Sequence, residues 1–149
     1  MDRIADKIFI GSSSDGIFRH DERIHNGITA VFNVAKDLTN QHVTHEMHRI
    51  DHVGLVDGAG NPKGLLYASV ATLAGLISNG YTVLVHCHEG RSRSAMVVAT
   101  YLRSAGHFPD ITSALEYLKS KRSRIGPKES LVAEFEALDP DILKKLVQE

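Results

Sequence analysis

The sequence predicts an α/β fold in which helices flank a central, mostly parallel sheet. Short runs of β-branched and aromatic residues alternate along the chain with longer segments of helical periodicity, which is the pattern of consecutive βαβ units. The run from Thr82 to Val85 is almost wholly apolar, as expected of a strand that is covered on both faces. The 149 residues include no repeat, low-complexity tract or Gly/Ser-rich linker, so we expect a single domain over residues 1–149.

Four segments are rich in strand-forming residues and lie next to turn signals such as Gly11 and Asn26-Gly27. The last of the four is the clearest, because its centre contains only branched apolar residues. The predicted strands are Lys7–Ile10, Ile28–Val34, Met47–Val53 and Tyr81–His86.

Five segments have the capping and periodicity of helices. Asn61-Pro62 supplies an N-cap and a proline at the first helical position, and apolar residues recur at near-helical spacing up to Gly80. Ala95–Tyr101 is apolar nearly all round, which predicts a buried central helix that ends near Gly106. The other three helices are predicted to begin at Pro109, at about Lys128 and at the cap Asp139-Pro140.

Charge and composition argue against several classes of function. Lys and Arg total 17 against 18 Asp and Glu, a formal net charge of −1, whereas nucleic-acid binders carry a basic excess. No apolar run approaches the roughly 18 residues that span a bilayer, and the charged stretch Met1–Lys7 is unlike a signal peptide. Cys87 is the single cysteine, which excludes intrachain disulfides. We expect a cytoplasmic protein with no nucleic-acid partner and no stable membrane insertion; its oligomeric state is left open.

The segment His86–Ser94 lies between the clearest strand and the most buried helix. A loop that leaves a strand and enters a helix turns backbone N–H groups inward and ends at the positive pole of the helix, so it binds tetrahedral dianions. Gly90 permits a turn that a β-carbon would obstruct, and Arg93 presents a fork of donors that fits two phosphate oxygens. The residues expected to bind phosphate are His88, Glu89, Gly90, Arg91, Ser92 and Arg93.

Cys87 occupies the first position of this loop. Helix N-termini and nearby arginines lower a cysteine pKa from its usual value of about 8.5, so we expect a thiolate nucleophile aimed at phosphorus. Ser94 can donate its hydroxyl to the sulfur and make the thiolate a better leaving group. A lone cysteine at a strand end is usually just a small buried hydrophobe, but the spacing Cys-x5-Arg-Ser around Gly90 favours catalysis.

This segment resembles the signature of the cysteine-dependent protein tyrosine phosphatase superfamily, and its His-Cys-x-x-Gly-x-Ser-Arg-Ser pattern is similar to the dual-specificity branch. Ile4–Gly11 and Gly27–Val34 look like the first strands of that family, and Lys121–Ile125 takes the place of a basic stretch near its C-terminal helices. The resemblance implies a phosphatase that requires no metal or cofactor. The chain is much shorter than tyrosine-specific catalytic domains, which implies a shallow pocket open to phosphotyrosine and to phosphoserine or phosphothreonine.

Displacing an alkoxide or phenoxide from phosphorus requires a proton donor on the leaving oxygen. In the resembled family the donor is an aspartate on a loop upstream of the cysteine, and Asp57 lies 30 positions before Cys87 in a glycine-rich segment. The rival is Asp51, which falls inside a predicted strand, where its side chain would be fixed and too distant. Asp57 could also be a simple turn former, as aspartates beside glycine often are.

Several other polar residues have both a functional and a simpler interpretation. His86 is expected to support the loop through a hydrogen bond to nearby backbone, and Glu89 either pairs with an arginine or is solvated. His88 and Arg91 occupy the variable rim of the loop; basic residues there are similar to lipid-directed members of the superfamily, or they simply raise the local phosphate concentration. The remaining candidates have metal-like spacing but are more often surface residues, namely His42, His45, His48 and His52.

The sequence therefore predicts a hydrolase that removes phosphate from proteins through a phosphocysteine intermediate. The predicted catalytic residues are Cys87, Arg93, Asp57 and Ser94. One alternative is a phosphoinositide or phospholipid phosphatase that uses the same chemistry. Another is an inactive adaptor that only binds phosphate, although the joint presence of Cys87, Arg93 and Asp57 argues against it.

Overall fold

The computed structural model describes residues 1–38 and 49–148. Within these ranges the strands are β1 (Asp2–Ala5), β2 (Ile8–Gly11), β3 (Ala30–Ala35), β4 (Arg49–Leu55) and β5 (Val83–His86). They form one five-stranded sheet in the order β1-β2-β5-β3-β4. The β1–β2 pair is antiparallel, whereas β2–β5, β5–β3 and β3–β4 are parallel. The clearest strand of the sequence, β5, is therefore the central one.

Seven helices accompany the sheet in the same part of the chain. They are α1 (Ser13–Ile17), α2 (His20–His25), α3 (Lys63–Ser78), α4 (Arg93–Ser104), α5 (Ile111–Lys121), α6 (Glu129–Glu136) and α7 (Pro140–Val147). None of these helices is long and apolar enough to cross a lipid bilayer.

Alternate residues of the strands point into two apolar clusters. Val83 and Val85 of β5 join the larger core, which also takes in the buried faces of α3, α4, α5, α6 and α7. Leu84 points the other way, into a smaller cluster that includes Phe9 and Val31. Because its residues from Arg93 to Thr100 are all buried, α4 is fixed firmly behind the loop that precedes it.

The structure confirms the predicted α/β class and mostly parallel sheet, but the edges differ from the prediction. Sequence patterns miss β1, α1 and α2, because segments of 4, 5 and 6 residues are too short to establish a period. β4 extends to Leu55, and the first two residues predicted for it, 47 and 48, lie outside the described residues. β5 begins two residues later than predicted, and α4 begins at Arg93, two residues earlier than Ala95.

The prediction that Asn61 caps α3 is wrong. Pro62 is the N-cap, without a side-chain hydrogen bond, and it satisfies the helix start through its carbonyl oxygen, which accepts from the N–H groups of Leu65 and Leu66. The Asn61 amide instead points back along the preceding loop and bonds Val56. Asparagine favours both helix caps and turns, and here its side chain bonds the preceding turn.

Candidate active site

The loop from Cys87 to Ser92 joins the central strand β5 to the buried helix α4. Parallel pairing sets Gly11 of β2 opposite His86 of β5, so the end of β2 lies beside the start of the loop. Gly90 has a φ of +68°, and a β-carbon on it would lie 2.4 Å from the Gly11 carbonyl oxygen. Only glycine fits such a close approach of two backbones.

Three consecutive carbonyl groups of the loop are bound from outside it. The Ser13 N–H donates to the oxygen of His88 at 2.9 Å, and the Arg122 guanidinium donates to the oxygens of Glu89 and Gly90 at 3.0 and 2.8 Å. In a trans peptide the N–H points away from the carbonyl of the same unit. The N–H groups of residues 89, 90 and 91 therefore face inward, where they form a cradle for an anion.

Arg122 is the buried member of the basic stretch Lys121–Ile125. Its side chain is only 7% exposed and also bonds the Asp2 carboxylate at 2.8 Å. The sequence shows only a basic stretch at this point, whereas the structure uses one of its guanidinium groups to hold the loop carbonyls. That role depends on β1, which supplies Asp2 and which the sequence pattern did not reveal.

The thiol of Cys87 is buried at the base of this cradle, with Sγ 3.3 Å from the Ser94 hydroxyl. Burial raises the pKa of the thiol, but hydrogen bonds from the Ser94 side chain and from the N–H groups of Ser94, Arg91 and Gly90 outweigh it and hold the pKa below its ordinary value. The cysteine therefore has the electrostatic environment of a nucleophile.

Arg93 presents its guanidinium to the same space, and its side chain is 7% exposed. Nη1 donates to Asp37 Oδ1 at 2.6 Å and to the Leu55 carbonyl at 3.1 Å. Nε is buried and has no hydrogen-bond partner within residues 1–38 and 49–148. One edge of the fork is thus anchored, and the other retains a donor for an anion.

Asp37 is a site residue that sequence reasoning missed. The hydrogen bond from Arg93 holds the pKa of its carboxyl below the usual range, so it stays ionised at neutral pH. It follows the end of β3 by two residues and has no motif around it. No local signal could have revealed it, because its partner lies 56 positions away in the chain.

Asp57 contacts the phosphate-binding loop through its carboxylate. Its Oδ1 accepts from the Ser92 hydroxyl at 2.6 Å, and its Oδ2 lies 3.7 Å from Nζ of Lys128. The Lys128 N–H donates in turn to the Ser92 hydroxyl oxygen at 3.1 Å. The aspartate is thereby tied both to the phosphate-binding loop and to the N-terminus of α6.

Asp51, the rival acid, lies elsewhere. It is a β4 residue whose carboxylate pairs with Arg49 at 2.9 Å, and it lines a separate depression together with Thr72 and Tyr81. The structure therefore brings Asp57, and not Asp51, to the cysteine.

One cleft of about 910 Å³ collects these groups. Buried Cys87 and Arg93 line it together with Asp57, and the exposed basic residues His88, Arg91, Lys36 and Lys128 also line it. The last two cations were not singled out by the sequence, because lysines at a strand end and a helix start are ordinary surface residues. The arrangement places a buried thiol, an anion cradle and a carboxyl group in one cavity.

A family model described as "Dual specificity phosphatase, catalytic domain" matches residues 8–138. The chain belongs to the dual specificity phosphatase family. This finding confirms the predicted family and, for the domain over those residues, the predicted class of protein-tyrosine-phosphatase-type hydrolase.

Curated relatives of this dual specificity phosphatase domain are also named as phosphatases. The chain is 28% identical over 141 residues to the putative tyrosine phosphatase 123R of Invertebrate iridescent virus 6, which covers 90% of this chain and 90% of that protein. It is 33% identical over 73 residues to a probable dual specificity protein phosphatase of Dictyostelium discoideum, covering 49% of this chain and 30% of the relative. The chain thus matches less than a third of the length of that relative.

Solved dual specificity phosphatase structures share the fold. Human DUSP28 superposes with a TM-score of 0.79 at 21% identity, covering 99% of this chain and 98% of that one. PTPMT1 in complex with PI(5)P superposes with a TM-score of 0.75 at 20% identity, covering 98% and 96%. At these identities the likeness establishes the architecture.

The remaining predicted residues surround the phosphatase loop. His86 is buried, its Nδ1 lies 3.1 Å from the Cys87 carbonyl oxygen, and burial lowers its pKa to about 4, so the ring is neutral at pH 7. Glu89 is exposed at the mouth of the cleft.

The histidine cluster proposed from spacing cannot be assembled from the described residues. His42, His45 and His48 lie outside them. Nε2 of His52 lies 2.7 Å from the Ala35 carbonyl oxygen. Within residues 1–38 and 49–148 no three His, Cys, Asp or Glu side chains come together as a metal site.

Ser94→Ala should raise the pKa of the Cys87 thiol, because it removes a donor 3.3 Å from the sulfur. A hydrogen bond to an ion contributes about 1.5–3 kcal/mol, so the midpoint of the thiol titration should rise by about one to two pH units. The rate of alkylation by iodoacetamide as a function of pH measures that midpoint. Ser120→Ala removes a hydroxyl bonded only to Tyr117 and serves as the matched control. An unchanged midpoint in Ser94→Ala would contradict this assignment.

Proposed function

We propose that residues 1–149 form a single catalytic domain that hydrolyses phosphomonoesters, chiefly phosphotyrosine and phosphoserine or phosphothreonine in proteins. The observation that carries the proposal is the convergence of three groups in one cleft. They are a buried cysteine with a lowered pKa, an arginine whose Nε has no partner among the described residues, and an aspartate bonded to the same loop.

In the first step the Cys87 thiolate attacks phosphorus, and the bond from phosphorus to the ester oxygen breaks. The inward N–H groups of the loop and the free edge of Arg93 bind the non-bridging oxygens, which gather charge in the transition state. Asp57 gives its proton to the departing oxygen. The products of this step are the free alcohol or phenol, a phosphocysteine and the Asp57 carboxylate.

In the second step water attacks the phosphocysteine. Asp57, now a carboxylate, accepts a proton from that water and returns to its starting state. The sulfur leaves as a thiolate, and the Ser94 hydroxyl at 3.3 Å stabilises its charge. Inorganic phosphate is released, and the cycle requires no metal or cofactor.

The substrate class is the part of the proposal with a specific rival. His88 and Arg91 at the cleft mouth would attract any substrate with added negative charge. They are the residues that favour a phosphoinositide substrate, and PTPMT1, a neighbour in fold, was solved with PI(5)P. An acidic peptide would feel the same field, so these two residues alone do not decide between the classes. We favour phosphoproteins because the sequence offers no amphipathic membrane helix and no polybasic run beyond residues 119–124. A cytoplasmic location without a nucleic-acid partner stays a prediction.

Cys87→Ser should abolish turnover but retain oxyanion binding, because the cradle and Arg93 remain. Hydrolysis of a phosphotyrosine peptide should fall roughly a hundredfold or more, while tungstate binding measured by calorimetry should change little. Arg93→Ala should lose both. If Cys87→Ser kept more than a few per cent of the activity, the covalent mechanism would be wrong; if it kept none and Arg93→Ala still bound tungstate, the assignment of Arg93 would be wrong.

Asp57→Asn should lower kcat on phosphopeptides by roughly 10²–10⁴-fold, the usual contribution of a general acid. The loss should be much smaller for p-nitrophenyl phosphate, whose leaving group needs no proton. The alkaline limb of the wild-type pH–rate profile should disappear. Asp51→Asn removes the rival carboxylate and is the control. Equal losses on good and poor leaving groups would exclude Asp57 as the acid.

The double variant His88→Ala/Arg91→Ala decides between the two substrate classes. Exposed ion pairs contribute about 0.2–1 kcal/mol each, so the pair should change kcat/KM by only a few-fold, less so at high salt. We expect similar losses on a phosphotyrosine peptide and on a soluble phosphoinositide. A wild type that is faster on the phosphoinositide, with a large loss confined to that substrate, would support the lipid phosphatase instead.

A further inference from the structure

We infer that Glu134 of α6 is a positioning residue for Asp57, acting through Asn61 to hold the loop 56–61 closed over the cleft. This inference rests on the proposed role of Asp57 as general acid. It adds a residue that lies outside the cleft, does not touch the substrate, and belongs to a helix with no other predicted function.

The backbone of the loop is permissive around Asp57. Asp57 is followed by Gly58, Ala59 and Gly60, and the two glycines have φ values of +148° and +101°. Asp57 sits at the tip of a tight turn in which the Gly58 N–H donates to the Val56 carbonyl at 3.0 Å. Glycine permits these conformations and many others, so the observed form depends on side-chain hydrogen bonds, from Asn61 within the loop and from Glu134 outside it.

Glu134, which lies 73 positions after Asn61 in the chain, supplies the restraint from outside the loop. Its carboxylate accepts from the Gly60 N–H at 2.8 Å, from the Asn61 N–H at 3.3 Å and from the Asn61 side-chain amide at 2.9 Å. Burial raises the pKa of this carboxyl, but the hydrogen bonds from Asn61 and Gly60 outweigh it and keep the pKa below its usual value. The acceptor is therefore a carboxylate at neutral pH, and its bonds are of the strong, charge-assisted kind.

Asn61 carries the restraint to both neighbours of Asp57. Its Oδ1 accepts from the Val56 N–H at 2.8 Å, and its Nδ2 donates to the carbonyls of Val56 at 3.0 Å and of Gly58 at 3.1 Å. The asparagine is 8% exposed, so water competes little for these bonds. The residues on either side of the acid are thereby tied to one amide, which Glu134 orients.

The helix that bears Glu134 is itself anchored. Leu131 and Phe135 of α6 are buried in the main core, and the residue before the helix, Lys128, contacts Asp57 and Ser92. One rigid element therefore fixes the loop at its distal end through Glu134 and approaches the acid through Lys128. Loss of the Glu134 contact should free the glycines, and Asp57 would then occupy its position beside Ser92 for a smaller fraction of the time.

The test is Glu134→Gln, with Glu136→Gln as the matched control, because Glu136 is an exposed residue of the same helix. Glutamine replaces one carboxylate oxygen with an N–H₂ group, which cannot accept hydrogen bonds from Gly60 and Asn61. We expect kcat on a phosphoserine peptide to fall roughly tenfold, less than the 10²–10⁴-fold of losing the acid itself. p-Nitrophenyl phosphate turnover and tungstate binding should change less than twofold, and the control should match the wild type.

A double-mutant cycle separates this inference from the proposed function. In the Asp57→Asn background, Glu134→Gln should add almost no further loss, because both changes remove one proton transfer. An additive loss, or a loss equal on good and poor leaving groups, would overturn the positioning role. No loss in Glu134→Gln would overturn it as well. If Asp57→Asn itself kept its activity on phosphopeptides, the proposed function would fail first.

If Glu134→Gln does not fold, Glu134→Asp decides by the same criteria, since it keeps the charge but shortens the reach. Amide hydrogen exchange gives an independent readout in the folded variant. The Gly60 and Asn61 amides should exchange faster, whereas those of Leu131 and Phe135 in the core of α6 should not. Faster exchange throughout α6 would indicate general destabilisation and would also count against the inference.

Discussion

The site depends on one constraint, that the carbonyl groups of the phosphate-binding loop are satisfied from outside it. Ser13, Arg122 and Gly126 bind the carbonyls of residues 88–91, and this leaves the opposing N–H groups to face the cysteine. Unpaired buried carbonyls would cost about 1–3 kcal/mol each. Ser13 begins α1, whereas Arg122 and Gly126 belong to the connection between α5 and α6. The anion cradle therefore depends on two segments outside the loop and not on the loop alone.

The buried charge of Arg93 imposes a second constraint on the site. A guanidinium that is 7% exposed needs partners, yet one with every donor occupied could not bind a substrate. Asp37 and Leu55 satisfy Nη1, which fixes the plane of the group, while the Nε donor stays unbonded among the described residues. On the proposed mechanism the substrate phosphate completes this set, so part of the binding free energy comes from relief of an unsatisfied donor.

Local sequence was enough for whatever depends on short spacing. Cys87, Gly90 and Arg93 share one turn, whereas Asp57 was selected by the family resemblance together with the glycines that follow it. Residues that act across the chain were not accessible: Asp37 meets Arg93 over 56 positions, and Glu134 meets Asn61 over 73. Likewise α1 and α2 are too short for periodicity, and tertiary packing stabilises them, as the fully buried Arg23 of α2 indicates.

The way in which the acid loop is held bears on the breadth of substrate. A loop that closes by contacting its substrate gains binding free energy only from leaving groups of the right shape. Here the loop residues Gly60 and Asn61 bond the Glu134 carboxylate, so closure draws on contacts within the protein. On the proposed mechanism the position of Asp57 is then the same for an aromatic and an aliphatic leaving group. On the proposed function, an acid loop held by contacts within the protein therefore suits phosphotyrosine and phosphoserine or phosphothreonine alike.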